Sequence, residues 1–168
     1  MKAAAVLVGI ALALALQTTV ARFVVGGTTA VDLVLVAVVY VALTTGPVSG
    51  MISGSVAGLI QDALSSGEVI GIGGLSKAIV GFLVGVIGQQ FIVTATLPRL
   101  VMLVAATALH GALFMGLYVA LGLRTFSSPW QAIAGQVLGN AIVGIIAFTL
   151  IEAMPGVIER RRAGRRVR

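Results

Sequence analysis

The sequence predicts an all-α integral membrane protein of about six transmembrane helices, and three observations carry that prediction. Of 168 residues, 59% are hydrophobic and only 10% are charged, against about 25% charged in a soluble domain. The mean hydropathy is +1.15. Turn signals rich in Gly, Pro, Ser and Thr cut the apolar sequence into runs of span length. At about 20 apolar residues per crossing, the chain has room for roughly six spans and almost nothing outside the bilayer. Any activity therefore lies within the membrane, or consists of binding other membrane proteins or lipids.

The first span is expected over Ala3–Ala21, preceded by Lys2 and closed by Gln17-Thr-Thr19 and Arg22. Thr19-Val20-Ala21 sketches a signal-peptide cleavage site, but the basic region is minimal and the run is long enough to span if counted to Val25, so a retained helix is expected. Gly26-Gly27 mark the following turn. The second span, about Ala30–Thr45, is dense in Val and Leu. Asp32 at its start meets the positive end of the helix dipole, with Arg22 close by as a rim partner. Thr44-Thr-Gly46-Pro47 is a break that suits Pro47 to the first turn of the third span.

The third span, about Val48–Leu64, holds Gly50, Gly54, Gly58 and Asp62, each four apart and so on one ridge of a helix. After the connection Ser65–Gly74, which contains Glu68, the fourth span (about Leu75–Val93, with Ser76 as its cap) repeats the spacing with Lys77, Gly81, Gly85 and Gln89. Antiparallel helices joined by this loop set two glycine ridges face to face, with Asp62 and Lys77 near the same end as a possible ion pair.

Thr94–Arg99 makes a tight link with Thr96 as an N-cap and Pro98 at the helix start. The fifth span, Arg99 to Leu121, carries a small-residue stripe of Ala108, Ala112 and Gly116, with His110 mid-span. Ser128-Pro129-Trp130-Gln131 reads as a capping box opening the sixth span, about Trp130–Ala153, with Trp130 at interfacial depth. Gln136 and Asn140 lie within this span, and Met154-Pro155-Gly156 closes it. The chain thus divides into one polytopic membrane domain, 1–158, and a basic tail, 159–168.

Net charge is +6. Arg160, Arg161, Arg162, Arg165, Arg166 and Arg168 follow the last apolar run, which by the positive-inside rule sets the C-terminus in the cytoplasm. With six spans, Lys2, Arg99 and the tail fall on one side and Arg22, Lys77 and Arg124 on the other, which agrees with both termini being cytoplasmic. The tail also suits a contact with anionic lipid at the membrane surface. Topology accounts for it without nucleic acid.

Catalytic chemistry is scarce. There is no cysteine, which removes thiol catalysis and Cys metal sites. His110 is the only histidine and has no carboxylate within a helical turn, so no metal site assembles locally. An interhelical hydrogen bond is the expected role for such a residue. Ser76 and His110 superficially match a serine–histidine protease dyad, but Ser76 more simply caps a helix. Gln17, Asp62, Lys77, Gln89, His110, Gln136 and Asn140 are expected to face the bundle interior, because unpaired polar groups are costly in lipid. They serve either bundle cohesion or a groove that receives a partner's helix or a small polar ligand. No cofactor is implied.

Gly58-Leu59-Ile-Gln-Asp62-Ala-Leu64-Ser65-Ser-Gly67, then Gly71, Leu75-Ser76 and Gly81, resembles the core pattern of the MreD family. This is the small membrane subunit of the bacterial rod-shape (elongasome) machinery. Chain size, Tyr40 in the second span, the glycines before the core and the basic tail also agree. Val31-Asp32-Leu33 departs from the family's frequent Pro-Asp-Leu. The resemblance implies a non-enzymatic scaffold in the bacterial cytoplasmic membrane that binds MreC, a single-span protein. It helps couple MreB filaments to the glycan polymerase RodA and its penicillin-binding transpeptidase in peptidoglycan synthesis.

The resemblance also implies a fold similar to the substrate-binding subunit of energy-coupling-factor transporters, which supplies an alternative function, vitamin binding. Short loops and an aromatic content of 5% argue against the pocket that this would need. The Gly50/Gly54/Gly58/Asp62 ridge is expected to make close helix contact, with the fourth span or with a partner's helix.

Overall fold

A computed structural model describes the backbone of residues 2–20, 31–65, 69–91 and 95–166, and the side chains of 8–19, 31–65, 69–91 and 95–150. Six helices follow in order: α1 (Lys2–Val20), α2 (Leu33–Thr45), α3 (Pro47–Leu64), α4 (Ile72–Gln90), α5 (Thr96–Ala120) and α6 (Pro129–Arg166). Among the described residues every regular element is helical. Ile72–Gln90, Thr96–Ala120 and Pro129–Leu150 are long and apolar enough to cross a membrane, and Val8–Thr19 and Leu33–Thr45 are shorter apolar helices. Six helices with three apolar spans of this length are consistent with a helical membrane protein.

α2 is the hub, touching all five other helices. One side of it (Leu35, Val36, Val39, Ala42) packs with Val80 and Val84 of α4, Leu103 and Ala106 of α5, and Phe148 of α6. The opposite side (Val34, Val38) meets Ile10 and Leu14 of α1 and Ala57 of α3. A helix that is apolar all round belongs in such a position. Its thirteen residues reach only about 20 Å, less than a bilayer core; wrapped by neighbours, α2 itself has little lipid to face.

α2 ends at Gly46, whose φ of 97° turns the chain straight into Pro47, the first residue of α3. Only glycine takes that backbone readily, and proline at the first helical position loses no hydrogen bond. The predicted cap at Thr96 is not observed: α5 already includes Thr96, and Ala95 precedes it with no side-chain cap. Nor does Met154-Pro155-Gly156 close the last helix, since α6 runs through it to Arg166. A proline removes one hydrogen bond from a ladder whose other bonds remain. The Gly26-Gly27 turn, Arg22, Glu68 and the side chains of the basic tail lie outside the described residues.

Candidate functional site

The glycines of α3 and α4 are the backbone-to-backbone seam of the fold. A β-carbon on Gly50 would run into the carbonyl oxygen of Gly81, and one on Gly54 into the carbonyl oxygen of Lys77. On Gly58 it would stand 2.6 Å from the Gly74 α-carbon, and on Gly85 it would strike Pro47. The two ridges therefore face each other inside the molecule, antiparallel, as the four-residue spacing predicts, and the α3 ridge is turned toward α4 rather than outward. The α5 stripe behaves differently. Ala112 and Gly116 are exposed, and a side chain at Gly116 would meet nothing within 4 Å.

The expected Asp62–Lys77 ion pair does not form. In the observed register Gly54 lies opposite Lys77, and Asp62 is eight residues further along α3, about 12 Å away along the axis. Asp62 reaches the N-terminus of α4 instead. Its Oδ2 accepts hydrogen bonds from the backbone N–H groups of Gly71 (2.9 Å), Gly73 (3.0 Å) and Gly74 (3.2 Å). Those are donors that the first turn of a helix leaves unsatisfied, and a carboxylate also complements the dipole there.

The glycines make this contact possible. Gly71 has a φ of 111°, and a β-carbon at Gly73 would collide with the Asp62 carboxylate. Ser76, predicted to cap α4, sits inside it and donates its hydroxyl to the Gly73 carbonyl. Gly58, Asp62, Gly71 and Gly74 thus form one latch between α3 and α4.

Asp62→Ala leaves three helix-terminal donors in a buried position and is expected to destabilise the protein by about 2 kcal/mol. Hydrogen exchange at the amides of 71, 73 and 74 should speed up together; unchanged protection there would refute the latch.

Lys77 turns its side chain away from α3 and pairs with Asp32 of the α2 cap, Nζ to Oδ2 at 2.8 Å, with both side chains 3% exposed. The second acceptor for Lys77 is Nε2 of His110, 3.2 Å away on α5. An ammonium has only donors, so His110 meets it with an unprotonated Nε2 and carries its proton on Nδ1, which has no hydrogen-bond partner. The His110 ring stacks on Phe114 with centroids 5.8 Å apart.

Asp32 does cap α2 as predicted, Oδ1 accepting from the Leu35 N–H at 2.9 Å. Its own N–H donates to Oδ1 of Asn140 (2.7 Å), whose amide nitrogen donates to the Thr107 hydroxyl (3.2 Å). Gln17 of α1 closes the other side, donating to the Val31 carbonyl (2.9 Å) and accepting from the Leu33 N–H (2.8 Å). One buried polar cluster therefore joins α1, α2, α4, α5 and α6.

Of the predicted interior polar residues, His110 and Asn140 are buried and Gln136 is half-buried. Gln89 is a correction: it is exposed at the last turn of α4, near the Gly46 bend. Helical spacing puts it on the ridge, but the ridge has run past the end of α3 by that point. The roles of Asp32 and Thr107 in this cluster escaped sequence reasoning. The signal available was a carboxylate beside an apolar-all-round helix, which has to be buried along with that helix. Among the described residues no group of His, Asp and Glu side chains is placed to hold a metal, and the Ser76 hydroxyl donates to the Gly73 carbonyl while His110 Nε2 meets Lys77.

Three residues of the latch, Gly58, Asp62 and Gly71, are among those on which the family resemblance rests, and a comparison with family models agrees with that resemblance. The model of rod shape-determining protein MreD matches residues 2–154, nearly the whole chain. The chain belongs to the MreD family. No curated protein and no solved structure matches it. Membership implies a role in rod-shape determination, and MreD is a shape-determining structural family. In this MreD-family chain the Gly-Leu-x-x-Asp core is a folding device, with Gly58 and Leu59 packing on Gly74 and Asp62 capping α4.

Proposed function

We propose that this protein is a non-enzymatic scaffold of the bacterial cell-elongation machinery in the cytoplasmic membrane, with both termini cytoplasmic. In this reading it binds MreC and helps couple MreB filaments to RodA and its transpeptidase during peptidoglycan synthesis. One observation carries the reading: in a chain matched by MreD over residues 2–154, the buried ionisable side chains among the described residues are engaged in joining helices to one another. Asp62 holds α3 to α4, and Asp32, Lys77 and His110 hold α2, α4 and α5 together. Such an interior makes a rigid body with outer faces free for partners. The reading extends to a six-helix fold similar to the substrate-binding subunit of energy-coupling-factor transporters.

The test is purification in mild detergent. MreC and RodA are expected in the eluate. Recovery instead of an energising ATPase module with bound vitamin would replace the scaffold with a transporter subunit.

A further inference from the structure

Tyr118, Phe126 and Arg124 form a short ladder at the C-terminal end of α5. Tyr118 is buried, and its hydroxyl accepts a hydrogen bond from the Val69 N–H of the α3–α4 connection at 2.9 Å. The Phe126 ring meets the Tyr118 ring edge-on, with centroids 6.2 Å apart. The Arg124 guanidinium lies over the Phe126 ring, 5.1 Å from its centroid. A guanidinium stacked on an aromatic face keeps its N–H edge available for an oxyanion. Among the described residues Arg124 has no salt-bridge partner to occupy that edge.

Arg124 opens into a cavity of about 340 Å³ that is also lined by Thr125, Ser127, Ser128 and Gln131, whose hydroxyls and amide can donate to an anion. Among the described residues no carboxylate lines it. The first turn of α6 forms one wall and contains no acidic residue, so the unsatisfied N–H groups of that turn add to the positive potential. The cavity lies at a membrane surface, because Thr96–Ala120 before it and Pro129–Leu150 after it are both long and apolar enough to cross. Its surroundings are apolar. Trp130 is 80% exposed, Leu121 and Leu123 are exposed as well, and Leu138, Ile142, Ile146 and Leu150 continue as an exposed ridge along α6.

We infer that this cavity binds the phosphate group of an anionic phospholipid, with Arg124 as its chief ligand and the acyl chains along the α6 ridge. A guanidinium fork takes two phosphate oxygens at once. A glycerol headgroup brings no cation to compete with Arg124, whereas a choline headgroup does. Free phosphate offers the same oxygens but leaves Trp130, Leu121 and Leu123 bare; a phospholipid covers them with its glycerol and upper acyl segments. This binding is independent of the scaffold reading and of any protein partner.

Trp130 is the only tryptophan in the chain, so its fluorescence reports lipid at this cavity and not at the basic tail at the other end of α6. The full chain is reconstituted in phosphatidylcholine vesicles containing a minor share of phosphatidylglycerol, and bromine is placed on the acyl chains of one lipid or the other. Brominated phosphatidylglycerol should quench Trp130 with about tenfold preference over brominated phosphatidylcholine, the value of one charge-assisted contact. Arg124→Gln should bring the two lipids to parity, and Arg124→Lys should keep only part of the preference.

Equal quenching by both lipids in the intact chain, or an unchanged preference in Arg124→Gln, overturns the inference. Loss of the preference on adding millimolar inorganic phosphate, at matched ionic strength, would assign the cavity to free phosphate and overturn the lipid. The remaining rival is Glu68 on the α3–α4 connection. If Arg124→Gln and Glu68→Gln lower the unfolding temperature equally, and the double variant lowers it no further, Arg124 belongs to Glu68 and the inference fails.

Discussion

Gly54→Leu is expected to prevent the protein from reaching its folded state. The substituted side chain would have to occupy the space of the Lys77 carbonyl and the Ala78 nitrogen, which are backbone atoms of α4. A side chain that is crowded can change rotamer; a helix backbone can move only by separating from α3. That separation would draw Asp62 off the α4 terminus and Pro47 away from Gly85 together. The cost is expected to exceed about 3 kcal/mol, the upper part of the usual range for overpacking.

The control is the same exchange at Gly116, where nothing lies within 4 Å. There leucine should be neutral or slightly favourable, being the better helix former. The measurement is thermal unfolding and monodisperse yield in detergent. A Gly54→Leu protein that melts with the unsubstituted chain would refute the seam. Because the seam is internal, loss of partner binding in such a variant would follow from misfolding.

Lys77→Met should be nearly as damaging, for an electrostatic reason. It leaves the Asp32 carboxylate buried beside α2 without its cation, and breaking one side of a buried pair costs about 3–5 kcal/mol. Asp32→Asn combined with Lys77→Met should recover most of that loss. Asparagine still caps the Leu35 N–H, and no unpaired charge remains. A coupling energy well above 1 kcal/mol between positions 32 and 77 is the expected result of the double-mutant cycle. The parallel cycle between 62 and 77 should give coupling within about 0.5 kcal/mol of zero, as for groups that share no partner. Equal coupling in both cycles would mean that Lys77 is shared between the two carboxylates, contrary to the observed geometry.

Much of this was legible in the residues. Glycines four apart on two successive spans predict helices in backbone contact, and that contact is what Gly50, Gly54 and Gly58 make with α4. Pro47 at the start of α3, Asp32 at the cap of α2 and an interhelical bond from His110 were equally readable. These features depend on spacing along one helix or on the chemistry of a helix end, and both are local.

The partner of each charge was not local. Asp62 and Lys77 share a sequence neighbourhood and opposite signs, but a charge in a membrane interior settles by three-dimensional distance. The antiparallel register moved them about 12 Å apart and gave Asp62 the open end of α4. Lys77 found Asp32, 45 positions earlier, only because α2 is packed among the other helices. By itself the sequence determined that the chain is a bundle of membrane helices, where the bend at Gly46-Pro47 falls and which helix faces could approach closely. The tertiary structure alone decided which buried charge neutralises which, because burial and pairing depend on where all six helices stand at once.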